Sequence, residues 1–279
     1  MSLIGLNQKG LLEYPGNQIN ETDYKEVQQQ NEDIRDFILR ITSGVYDRKK
    51  LTVKDNIELA KRMLVDNVYK AAKLENIAVT YAATIEIVEL GKNSGNLTPE
   101  ELTDVVNLKR SWEYLLNENT LNRELGIDLM QDIHGKVAFG MANLELSEMG
   151  NFRRGPVGIF GTTWRPKAPN SEEIYQELQN ILTTYPDVVD RALEIYIWMC
   201  KRQAFKDGNK RTSNYFANQE LIKKGFGILS PPPENDLAEF RLLLINYYET
   251  DEKKYLKEFL LNKCYSFDFE GLPTEHQGL

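Results

Sequence analysis

The sequence predicts an all-α domain carrying one small β-hairpin. Three observations predict it. Apolar residues return every third or fourth position, as on one face of a helix: Ile57, Ala60, Leu64, Val68 and Ala71, then Val188, Ala192, Ile195 and Met199. Helix starts are written in capping chemistry, clearest at Thr98-Pro99-Glu100-Glu101. One stretch, residues 150–169, breaks this rhythm with Gly155, Pro156, Gly158 and Gly161 between short apolar pieces, and reads as the hairpin.

Taken in order, residues 1–53 read as an N-terminal arm followed by a helix over 23–43. An amphipathic helix follows from Asp55 to Leu74. The Thr98 cap opens a helix to about Asn117, with Leu102, Val105, Val106, Leu108 and Trp112 inward. Another spans about Asn122 to Phe139 and carries His134, which reads as a packed core histidine rather than a catalytic one. Asn170–Glu173 opens a helix reaching about Leu182, and Pro186 opens the next. A helix from about Lys210 stops at Gly225, with Tyr215, Phe216 and Ile222 as its apolar side. Three prolines, Pro231 to Pro233, then stop the chain before a helix from Asp236 and a last one over Tyr255 to Leu261. Residues 265–279 read as a disordered tail.

Composition narrows the function. The 279 residues hold 34 basic and 42 acidic side chains, a formal charge of −8, which argues against general nucleic-acid binding. The two cysteines, Cys200 and Cys264, lie in apolar helical context and read as buried free thiols, which suits a cytoplasmic protein. No apolar run is long enough to span a bilayer, so no membrane partner is expected.

The chemistry concentrates between two helices, in Ala204-Phe-Lys-Asp-Gly-Asn-Lys-Arg211. Gly208 permits a positive φ, which turns consecutive N–H groups towards one point. The following helix adds free N–H groups and the positive end of its dipole, and Lys210 and Arg211 add full charges. That is an anion cradle, suited to phosphates. Asp207 is the odd member, and makes sense as a ligand for a divalent cation bridging to phosphate.

These residues resemble the Fic/Doc (Fido) family motif H-x-F-x-[D/E]-G-N-[G/K]-R, matched at Phe205, Asp207, Gly208, Asn209, Lys210 and Arg211. The leading histidine, the family's base, is Gln203 here, and glutamine cannot take a proton near neutral pH. Residues 150–166 resemble the Fido flap at Gly150, Phe152, Arg153, Val157, Ile159, Gly161, Trp164 and Pro166. In the family this hairpin pairs with an extended piece of a target protein, which would place Val157, Gly158, Ile159, Phe160 and Gly161 against a partner by strand addition. Residues 68–90 resemble the inhibitory segment, with Glu75 as its glutamate and Asn76 beside it. The family's partner arginine for that glutamate falls at Asn214, so the expected link is at best a carboxylate–amide hydrogen bond.

The resemblance implies a Fido-type helical domain over residues 54–264 with ATP and Mg²⁺ as ligands. Gly208, Asn209 and Lys210 would hold phosphate, Asp207 the metal, and Arg211 the developing charge; Lys210 is also the residue type that goes with γ-phosphate transfer. The implied function is transfer of AMP, another nucleotide part or a phosphate from ATP to a protein hydroxyl, impaired or divergent because Gln203 replaces the base. The alternative is an inactive nucleotide-binding regulator or scaffold. Homodimers are common in the family and are left open here.

Overall fold

The computed structural model describes residues 50–93 and 97–267; the helix expected over 23–43 and the tail beyond 267 lie outside them. The described residues hold eleven α-helices and a single two-stranded sheet. The long amphipathic segment is two helices, α1 (Val53–Arg62) and α2 (Leu64–Leu74), broken at Met63. Next come α3 (Tyr81–Leu90), α4 (Pro99–Leu115) and α5 (Glu118–Leu121). Thr98 and Glu101 cap α4 reciprocally, as its sequence predicts. Helix α6 is Ile127–Val137, shorter than its apolar pattern, because Gly126 opens it and residues 122–126 are irregular. The chain continues through α7 (Ser171–Thr184), α8 (Val188–Arg202), α9 (Asn209–Lys224), α10 (Leu237–Thr250) and α11 (Lys254–Phe259).

Helix α9 is the axis. It packs against α8 most extensively and also touches α1, α4, α5 and α6. The sequence assigns it one apolar side, but residues 209–222 are buried on every side except at Lys210. Most polar residues there are held by hydrogen bonds to the main chain. Asn218 donates to the Leu229 carbonyl and accepts from the Leu229 amide, both at 2.8 Å. Gln219 donates to the carbonyls of Leu121 and Arg123 at 2.8 and 2.7 Å. Buried polar groups cost little when bonded in this way.

Two expectations are corrected. Residues 150–169 form no paired strands: the segment is irregular and turns at Phe160–Gly161, where Gly161 takes φ +87°. Strand pairing lies elsewhere, with β1 (Ile228–Leu229) antiparallel to β2 (Tyr265–Ser266). Tyr265 and Ser266, read as the start of a disordered tail, therefore close the domain. A two-residue strand is too short to show any period in sequence.

Candidate functional site

The loop between α8 and α9 is held from below by His134 on α6. The imidazole is fully buried and stacks on Phe205 at 3.8 Å between ring centres and 5° between planes. Its Nδ1 accepts the Gly150 amide at 2.9 Å, so the neutral ring carries its proton on Nε2 and donates to the Asp207 carbonyl at 3.0 Å. Burial lowers its pKa to about 4, only partly opposed by the Asp207 hydrogen bond. His134 is thus a brace, in keeping with the structural role read from its helix.

Asn209 is a second brace. Its side chain accepts from the Phe205 amide at 2.9 Å and donates to the Phe205 carbonyl at 2.8 Å, pinning both main-chain polar groups of one residue. What Asn209 offers a ligand is therefore its backbone N–H. Gly208 sits at φ +73° as the N-cap of α9, and its amide is taken by the Asp207 carboxylate at 2.5 Å. The first intrahelical bond of α9 runs from the Thr212 amide to the Gly208 carbonyl. The N–H groups of Asn209, Lys210 and Arg211 lie ahead of that bond, at the positive end of a sixteen-residue helix.

Arg211 is 4% exposed and stands among three carboxylates. Asp207 lies 3.5 Å away, Glu75 3.6 Å and Asp104 3.9 Å; Glu75 also meets Lys210 at 3.4 Å. Burial alone would raise the Glu75 carboxyl, but Arg211 and Lys210 outweigh it and hold the pKa below the usual value. Asp207 is lowered in the same way: burial opposes, while Arg211, the Asn143 amide and the Gly208 amide prevail. Asp104 goes the other way. Burial raises it, Arg211 offsets only part of that, and the neighbouring carboxylates add to the rise.

The expected Glu75–Asn214 contact does not form. Asn214 lies one turn deeper and donates to the Leu229 carbonyl at 2.8 Å, inside the core. Glu75, the C-cap of α2, pairs instead with Lys210 and Arg211, the charges nearest the helix mouth. Two further participants were missed in the sequence. Asp104 lies in α4, distant in sequence from any motif. Asn143 donates to Asp207 at 2.5 Å from an irregular loop with no recognisable pattern.

Gln203 ends α8 in the left-handed region, φ +46° and ψ +52°. Its amide donates to the Cys200 carbonyl at 2.7 Å, and its own carbonyl accepts from Arg153 Nε at 2.7 Å. Arg153 also donates to the carbonyls of Gly155 (2.7 Å), Pro166 (3.3 Å) and Lys167 (2.7 Å), so one buried guanidinium ties both limbs of the 150–169 segment to Gln203. The far limb rests on α10, where Trp164 stacks on Tyr248 at 5.2 Å and Thr162 donates to Glu249 at 2.7 Å. Phe160 at the turn is fully exposed. A cavity of about 350 Å³ is lined by Glu148, Phe152, Arg154, Val157 and Lys206, between the near limb of the 150–169 segment and the loop.

The family model described as "Fic/DOC family" matches residues 124–221, which include His134, the flap segment and the whole loop. Over residues 124–221 the chain is similar to that family. The fold agrees with solved structures at low identity. Fic-1 from C. elegans is 19% identical with a TM-score of 0.57, over 86% of this chain and 69% of that one. A Fic-domain-containing signaling protein from Bacteroides thetaiotaomicron is 14% identical with a TM-score of 0.62, over 82% and 90%. A Fic family protein from Desulfovibrio desulfuricans is 17% identical with a TM-score of 0.57, over 89% and 73%. No curated protein matches the chain. Glu75 and Asp104 lie outside the matched residues, so the matched segment meets them only through folding. No described helix is long and apolar enough to cross a membrane.

Proposed function

We propose that this chain binds a magnesium nucleotide, ATP in the simplest case, at the mouth of α9, as a Fido-type transferase of AMP or phosphate whose base position holds Gln203. Fic domains generally transfer such groups to protein. The observation that carries the reading is the cradle. Three N–H groups, Lys210 and Arg211 converge at one helix end, and Arg211 Nε is buried without an acceptor. A buried guanidinium donor left open fits an anion that arrives from solution.

Asp207 would be the residue that holds the metal. Among the described residues no group of three or more acidic, histidine or cysteine side chains is placed to hold a metal ion. One partly exposed carboxylate at a phosphate cradle is instead what magnesium brought in with a triphosphate needs. Such an ion supplies positive charge to the phosphate oxygens. Around it, the backbone of Asn209 and Lys210 would bind phosphate and Arg211 would neutralise developing charge. Phe160 and the flap would seat a segment of target protein, and Gln203 would at most orient its hydroxyl.

A second reading, nucleotide binding without turnover, is favoured by one observation. The Gln203 side-chain amide donates to the Cys200 carbonyl, and an amide takes no proton near neutral pH, so that position offers no base. Two measurements separate the readings. MgATP should raise the melting temperature of the wild type and not of Asp207→Ala; no shift in the wild type removes both. Mass spectrometry after incubation with MgATP should find AMP or phosphate on the chain or on added lysate proteins if it is a transferase, and none if it is a regulator.

A further inference from the structure

We infer that Asp104 is a second acidic restraint on Arg211, set in the fold beside Glu75, and that it weakens nucleotide binding at the α9 mouth. The inference rests on the nucleotide-binding reading above. Arg211 and Lys210 bring two positive charges, and Glu75, Asp104 and Asp207 bring three negative ones. The cluster is therefore over-neutralised before any phosphate arrives. With Asp207 reserved for the metal, Glu75 and Asp104 still cancel both positive charges.

The two act from different elements. Glu75 caps α2 and meets the guanidinium at its NH2 group; Asp104 projects from the second turn of α4 and meets NH1 at 3.9 Å. Arg211 is thus approached from two sides by acids on separate helices. Withdrawal of α2 would free Lys210 and one side of Arg211 only. Asp104 would remain, because α4 packs directly on α9, and its own helix is fixed by the Thr98–Glu101 cap. A carboxylate about 4 Å from the guanidinium, at the effective dielectric of a partly buried site, is strong enough to change an anion's affinity about tenfold.

The test is calorimetric titration of MgATP into the full chain as wild type, Asp104→Asn, Glu75→Gln and the double variant. Glu100→Gln, an exposed acid on the same helix, controls for net charge. Asp104→Asn should tighten binding by about tenfold, the double variant should bind more tightly than either single one, and Glu100→Gln should match the wild type. Asp104→Ser is run alongside, in case the amide makes a new bond to Arg211. If Glu75→Gln tightens binding while Asp104→Asn and Asp104→Ser leave it equal or weaker, the restraint is wrong and the nucleotide reading stands. If Glu100→Gln tightens binding as much as Asp104→Asn, net charge is the cause and the inference is also overturned. If no variant binds MgATP, the nucleotide reading falls and takes this inference with it.

Discussion

His134 donates from Nε2 to the carbonyl of Asp207 at 3.0 Å, with its other nitrogen already committed to the Gly150 amide. The imidazole must stay neutral to make both bonds, and its pKa is lowered to about 4 by burial. In the unfolded chain the same group takes a proton near pH 6.5. Between those values the unfolded state binds more protons, so stability rises with pH across the window. Acidification from pH 6.5 towards 4 should cost up to about 3 kcal/mol through this residue. Urea unfolding at several pH values checks it: His134→Gln should be less stable at pH 7 but flatter between pH 6.5 and 4. An imidazole that titrates near 6.5 by NMR would remove the argument.

Gly208→Ala should destabilise the fold by about 1–3 kcal/mol, since a side chain would be forced to positive φ. An added Cβ would also lie 3.2 Å from the Val137 side chain and 3.6 Å from the His134 ring. Thermal unfolding should show the loss. A melting point equal to the wild type would mean the loop relaxes away from this geometry.

Arg153→Met should loosen the flap by stripping four carbonyls of one donor group, at a cost of about 2–4 kcal/mol. The readout is chymotrypsin cleavage after Phe160, which is already exposed at the turn. Faster cleavage there under native conditions, ahead of cleavage elsewhere in the domain, is the expected result. Unchanged cleavage would show that the contacts with α10, the Trp164–Tyr248 stack and the Thr162–Glu249 bond, suffice to hold the flap.

Gln203→His should bring out transfer from ATP if only the base is missing. Histidine tolerates the left-handed conformation found there better than most side chains. General-base help is worth typically about 10²–10⁴-fold, enough to turn a silent protein into one whose modification is visible by mass spectrometry. Continued silence would move the deficit to Asn214, which is turned into the core, or to the acids around Arg211.

The sequence by itself determined the helices, their caps and the chemistry of the loop. Periodicity, capping residues and a glycine at a bend are local signals, spanning a few residues each, and Thr98, Gly208 and Gly225 all behave as written. Gln203 and the charges of Asp207, Lys210 and Arg211 were equally legible. Only the tertiary structure decided what surrounds those charges. Asp104 reaches Arg211 because α4 packs on α9, Asn143 reaches Asp207 across an irregular loop, and Glu75 meets Lys210 and Arg211 instead of Asn214. It also turned α9 from a one-sided helix into a buried axis, and left the flap irregular, without strand pairing. Electrostatic and hydrogen-bond partners are chosen by distance in space, and no period along the chain encodes which helix ends will face each other.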